Sequence, residues 1–144
     1  MNLYQKMNVF LANQTVMYMK VHNLHWYVKG HQFFSLHEKF EEIYDQTADI
    51  IDDVAERLLS VNEYPVANLK EVLELSTISE RYDKDVNGIL AVEILIADIE
   101  QLIKDSKELA VLAEEADDSV TNDMFIGYTG EYQKLHWMLT SYLK

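Results

Sequence analysis

With 144 residues, a formal net charge of −13 and no cysteine, the chain is long enough to bury one core. It is too acidic for a polyanionic partner, because phosphate contacts need Lys and Arg to displace counterions. The missing thiols exclude disulfides, thiolate zinc sites and thiol chemistry, leaving oxygen and nitrogen donors suited to iron, manganese, zinc or magnesium.

No apolar run approaches the ~20 residues of a membrane span, and the opening MNLYQKMNVFLANQ lacks the charged-then-apolar layout of a secretory signal. A cytoplasmic protein without a membrane segment is expected. The only stretch without an acid, residues 1–37, carries Lys6, Lys20 and Lys29 spread apart. They make no basic arm, so DNA binding by the folded body is not expected.

One proline and four glycines leave few breaks, and the apolar spacing is helical nearly throughout. A first helix is predicted from about Leu3 to Tyr27, with Phe10, Val16 or Met17, Val21, Leu24 and Val28 on one side and the turn Lys29, Gly30, His31 ending it. Ser35, with Glu38 three residues on, reads as a capping box that opens a second helix ending near Ser60. Its core stripe is Leu36, Phe40, Ile43, Thr47, Ile50, Val54 and Leu58. A connection over Asn62 to Asn68, including Pro65, leads into a short apolar segment from Leu69 to Leu75.

A third helix is predicted over roughly Ser79 to Glu115, with Val86, Ile89 or Leu90, Ile94, Ile96, Ile99, Leu102 and Ile103 on its apolar side and Gly88 at a frayed start or kink. After the acidic loop Asp117, Asp118, Ser119, a fourth helix runs from about Thr121 to Leu143. The pattern is that of an all-α four-helix bundle with one long central crossover, in a single domain over residues 1–144.

The second helix carries a palindrome of metal-ligand residues. His37 and Glu41 lie near its start, Asp52 and Glu56 near its end, and each pair is four residues apart, on one helix face. The pairs are about 22 Å apart at about 1.5 Å rise per residue, so one straight helix cannot gather all four around one ion. An antiparallel second copy, about a two-fold axis between Gln46 and Thr47, sets His37 opposite Glu56, Glu41 opposite Asp52, Phe34 opposite Leu59 and Asp45 opposite Ala48. Such self-complementarity is what a symmetric dimer contact requires, with two identical shared sites. The four residues occupy an arc of roughly 100° centred about 140° away from the core stripe at 100° per residue. The alternative from spacing alone is a pair of solvated acid-containing i,i+4 pairs, with Asp52 or Glu56 paired to Arg57.

The segment LHWYVKGHQFFSLHEKFEEIYDQTADIIDDVAERLL, Leu24 to Leu59, closely resembles the signature of the Dps proteins, the small ferritin-like miniferritins of bacteria. It combines a histidine before tryptophan, a second histidine twelve residues on, and an Asp-x-x-x-Glu-Arg ending. The resemblance continues at VTNDMFIG and Trp137. It implies a ferritin-like bundle with a short helix in the crossover, twelve such subunits in a hollow shell, and iron-oxidising sites across the dimer contact. His25, His37 and Glu41 would come from one subunit, Asp52 and Glu56 from its mate. The implied activity is a ferroxidase using hydrogen peroxide in preference to dioxygen, storing ferric mineral and protecting the cell from oxidative damage. Iron is the implied metal, with zinc able to take its place. Many members have aspartate where Glu41 stands, so iron geometry or affinity is expected to shift while binding remains. No histidine lies three residues after a glutamate, so the Glu-x-x-His pairs of an intra-bundle di-iron site are missing.

Other residues carry weaker signals. Glu38, Glu42, Asp45, Asp49 and Asp53 form an acidic stripe, either simply solvated or, on the inner wall of a shell, a nucleus for ferric oxyhydroxide. Trp26 is read as a buried core aromatic, while the resemblance offers a radical trap beside the iron site. Asp117, Asp118 and Asp123 fall where the family has acidic three-fold pores, and equally suit a helix start stabilised by the dipole. His22 is read as structural, His136 as packing, and His31 as a secondary zinc ligand. The competing role is a DNA-condensing structural protein, which in members with basic tails depends on those tails.

Overall fold

The computed structural model describes residues 1–144. In chain order the elements are α1 (Leu3–Tyr27), β1 (Val28–Lys29), α2 (Phe33–Ser60), α3 (Leu69–Leu75), β2 (Val86–Asn87), α4 (Gly88–Glu115) and α5 (Ser119–Tyr142). No helix is long and apolar enough to cross a membrane. The chain divides into two compact units, one of Asn8–Ala91 and one of Met1–Met7 with Val92–Lys144.

In the unit Asn8–Ala91, α2 is the most amphipathic helix, and its buried residues are Leu36, Phe40, Ile43, Thr47, Ile50, Val54 and Leu58, the stripe expected from spacing. Its start differs from the expected capping box. Gln32 is the cap residue and makes no side-chain capping bond. Ser35 instead donates its hydroxyl back to the Gln32 carbonyl at 3.1 Å, inside a helix whose cap lies three residues earlier than expected. Gly30, at φ +117°, makes the turn between β1 and α2, a conformation that L side chains rarely adopt.

Residues 62–85 have only the short helix α3, so most of their backbone polar groups need outside partners. Three asparagines of α1 supply them. Asn8 donates to the Tyr64 carbonyl at 3.0 Å and accepts from Val66 N–H at 2.8 Å. Asn13, fully buried, accepts from the N–H groups of Thr77 (2.7 Å) and Ile78 (3.1 Å) and donates to Thr77 Oγ1 (2.9 Å). Asn23 donates to the Asp83 carbonyl at 3.0 Å. The crossover ends in a two-residue parallel ladder pairing Val28 with Val86 and Lys29 with Asn87, beside an ion pair of Lys29 with Asp85 at 3.1 Å.

This strapping corrects the third predicted helix. Residues 79–87 are not helical, and α4 begins at Gly88 with the Asn87 side chain accepting from Leu90 N–H at 2.9 Å. Of the residues expected on the apolar side of α4, Ile99 and Leu102 are buried, Ile94, Ile96 and Ile103 are half-buried and both Ile89 and Leu90 are exposed, while Ala91, Val92, Leu95, Leu109 and Ala113 complete the buried face. In the unit that contains α5, Asp118 caps that helix two residues before the expected start, accepting from Thr121 N–H at 3.0 Å and Thr121 Oγ1 at 2.6 Å.

Replacing Asn13 by alanine strips the acceptor from two backbone N–H groups, one of them buried. Stability is expected to fall by about 2–6 kcal/mol at about 1–3 kcal/mol per unsatisfied group, measured as a lowered Tm or denaturation midpoint. Asn13→Asp, which keeps the acceptor oxygens, is expected to lose less.

Candidate metal centre

The end of α1 and the start of α2 are joined by a five-residue link, and each supplies a histidine to the same point. His25 Nδ1 donates to the main-chain carbonyl of His37 at 2.6 Å, and His37 Nδ1 donates to the main-chain carbonyl of His25 at 2.8 Å. A carbonyl only accepts, so each ring carries its proton on Nδ1. In the neutral imidazole that leaves the Nε2 lone pair bare, the form a metal ion needs. The rings stack 3.6 Å apart at 11°, with Phe33 stacked on His37 at 5.0 Å. His25 is buried (5% exposed) and His37 half-buried.

Glu41 lies one turn past His37, with Oε1 4.0 Å from His25 Nε2 and its carboxylate open to solvent. The same oxygen accepts a hydrogen bond from the Tyr44 hydroxyl at 3.3 Å. The Tyr44 phenol is held above its ordinary range, first by loss of surrounding water and then by the Glu41 carboxylate, which keeps it protonated as a donor. His22 stacks on the Tyr44 ring at 3.7 Å and 19°, and its Nδ1 donates to the Tyr18 carbonyl at 2.6 Å. His22 therefore has a structural task, as expected. Tyr44 was not singled out by sequence; its only signal is a position three residues after Glu41 on the same helix.

Asp52 and Glu56 do not join this cluster. Both are exposed, further along α2, and within one chain no group of three His, Asp or Glu residues is arranged to hold a metal ion by itself. Phe34 (84% exposed) and Leu59 (56%) are also uncovered. Glu38, Glu42, Asp45, Asp49 and Asp53 are all exposed, with Glu42 paired to Lys39 at 3.1 Å.

Trp26 corrects its expected burial. It is 59% exposed, and packs with His22 at 5.1 Å between ring centres. It follows buried His25 and therefore projects from another face of α1. His136 is likewise not a packing residue but a half-exposed partner of Glu100, at 3.0 Å. His31 is exposed. Asp117 is exposed at φ 58°, Asp123 is exposed, and Asp118 is the α5 cap described above.

The helix order is that of a ferritin-like protein, and the family model for the ferritin-like domain matches residues 4–144. The all-α architecture is accordingly the ferritin-like four-helix bundle, with α3 as the short helix of the crossover. Among known proteins the chain is 43% identical over 138 residues to DNA protection during starvation protein 2 of Bacillus anthracis, covering 95% of this chain and 93% of that one. The crystal structure of Dps from Staphylococcus aureus matches with a TM-score of 0.94 at 42% identity, over 99% of this chain and 95% of that one. A Dps protein from Vibrio cholerae, described as a member of a broad superfamily of ferritin-like diiron-carboxylate proteins, matches with a TM-score of 0.95 at 34% identity, over 99% and 89%. The chain belongs to the Dps family.

In metal-free protein at pH 8, neutron diffraction or ring 15N NMR is expected to find both His25 and His37 protonated at Nδ1 and bare at Nε2. A proton on Nε2 of either ring would remove it from the candidate ligand set.

Proposed function

We propose that this protein stores and detoxifies iron, oxidising Fe(II) to Fe(III) at sites shared between two copies of the chain and holding the ferric product inside a hollow shell. The observation that carries this reading is the double main-chain lock on His25 and His37, which presents two bare Nε2 atoms beside the Glu41 carboxylate. Imidazole and carboxylate suit ferrous iron, and carboxylate stabilises the ferric product further. Zinc favours the same donors and is expected to compete.

Two features support completion of the site by a second copy. The ligand face of α2 also bears the uncovered Phe34 and Leu59, apolar area that an antiparallel α2 would bury. In that register Asp52 and Glu56 of the mate meet Glu41 and His37, so each dimer has two five-residue sites of His25, His37, Glu41, Asp52 and Glu56. Membership of the Dps family supports assembly into a twelve-subunit shell. With peroxide as oxidant, two Fe(II) and one H2O2 with two protons give two Fe(III) and two waters, and no hydroxyl radical is released. Exposed Asp117 and Asp123, with Asp118 of the helix cap, are the candidate cation entry. Exposed Trp26 next to His25 is the candidate radical trap.

A DNA-condensing role has less support. Two of the three lysines in the acid-free start are already neutralised, Lys6 by Glu108 at 3.4 Å and Lys29 by Asp85 at 3.1 Å, on a chain of net charge −13.

Anaerobic loading with ferrous iron followed by hydrogen peroxide is expected to give rapid oxidation, with soluble ferric iron co-eluting with a shell-sized particle. His37→Ala is expected to slow the initial oxidation by about tenfold or more, the scale of lost ligand-shell contacts. Iron that precipitates at the protein-free rate would refute the reading. Replacing Glu42 and Asp45 by their amides is expected to slow mineral growth several-fold without changing initial oxidation; unchanged growth would return the acidic stripe to mere solvation.

A further inference from the structure

We infer that Tyr44 is a positioning residue for the metal centre, holding the Glu41 carboxylate beside His25 and thereby setting the affinity for ferrous iron; this rests on the function proposed above. Glu41 is solvent-exposed, and an exposed glutamate has three rotatable bonds whose freedom must be surrendered on binding a metal ion. One oxygen, Oε1, is nevertheless shared between two neighbours, 3.3 Å from the Tyr44 hydroxyl and 4.0 Å from His25 Nε2. A hydrogen bond at Oε1 selects among the rotamers of Glu41 those that keep the carboxylate near the imidazole pair.

The Tyr44 ring is itself held. His22 stacks on it at 3.7 Å and is anchored through Nδ1 to the Tyr18 carbonyl, while the Tyr18 and His25 rings meet it edge-on at 6.0 and 5.2 Å. A ring clamped in this way cannot follow a wandering carboxylate, so the carboxylate conforms to the hydroxyl. The hydroxyl remains free to rotate its proton, and it can donate to Glu41 while leaving the second carboxylate oxygen to a metal ion.

The length of Glu41 belongs to the same argument. Aspartate would be one methylene shorter and would withdraw its oxygens towards the α2 backbone, away from a hydroxyl three residues on. The Tyr44 contact is therefore a consequence of glutamate at this position. Removing the hydroxyl should matter in the native chain and should matter much less once the carboxylate has been shortened.

Tyr44→Phe keeps the ring and its stack on His22, so it tests the hydroxyl alone; an unchanged Tm checks that packing is intact. Anaerobic calorimetric titration of the assembled protein with Fe(II), and with Co(II) whose d–d bands report its ligand set, is to be run for wild type, Tyr44→Phe, Glu41→Asp and the double variant. Tyr44→Phe is expected to weaken binding about tenfold, as loss of a group that orients a ligand commonly does, with a changed Co(II) spectrum. In the Glu41→Asp background it should add less than about twofold. Unchanged affinity and spectrum in Tyr44→Phe, or an equal loss in both backgrounds, would overturn the assignment. His37→Ala in the same titration separates the two claims: if it binds Fe(II) as wild type does, the site itself is wrong, whatever Tyr44 does.

Discussion

The reciprocal hydrogen bonds between His25 and His37 tie the side chain of each to the main chain of the other, and the rest of the site depends on them. Because both acceptors are backbone carbonyls, the tautomers are set by the path of the chain rather than by other side chains that could titrate or rotate away. Both bonds span the same junction between the end of α1 and the start of α2. What holds those ends is local. Gly30 makes the turn at a positive φ, and the two-residue ladder fastens Val28 and Lys29 to Val86 and Asn87. The asparagines of α1 secure the crossover that delivers this second strand. The placement of the two imidazoles thus rests on turn chemistry and on amides far from either ring.

In the proposed function, one chain supplies only part of the site. The face of α2 that bears His37, Glu41, Asp52 and Glu56 is turned away from its buried stripe, so folding one chain leaves it open. A straight helix also keeps the two pairs about 22 Å apart. The proposed distribution of the site across two copies would couple metal chemistry to assembly, which an intra-bundle site would not do. It also lets each protomer fold before any cluster of carboxylates is brought together.

How much of this could be read beforehand varied with the physics of each segment. The buried stripe of α2 was legible residue by residue because its other faces are strongly polar, leaving one phase for the helix. In α4 the apolar residues run around much of the cylinder, and spacing alone placed Ile89 or Leu90 inward when both are exposed. Its start was misplaced because residues 79–87 obey tertiary partners, Asn23 and the β ladder, that no local window contains. At the site, His37 and Glu41 followed from four-residue spacing. His25 came only from the family motif, since a histidine on a neighbouring helix has no periodicity linking it to α2. Tyr44 escaped because an aromatic three residues from an acid is common, and only its clamped ring makes it distinctive.

The acidic stripe of α2 makes sense only beside these constraints. Glu38, Glu42, Asp45, Asp49 and Asp53 are exposed and repel one another along successive turns, each like-charged pair costing about 0.2–0.5 kcal/mol. Six fully or nearly buried apolar side chains on the opposite stripe contribute about 1.5–3 kcal/mol each. Burial therefore outweighs the repulsion several-fold, and the helix can carry more negative charge than its own stability would favour. A basic stripe would be equally tolerable for folding but would repel a divalent cation, whereas this one draws cations towards the helix that holds His37 and Glu41. The surplus of hydrophobic stabilisation is what permits the charge, and the sign of that charge is the part that the proposed iron chemistry would explain.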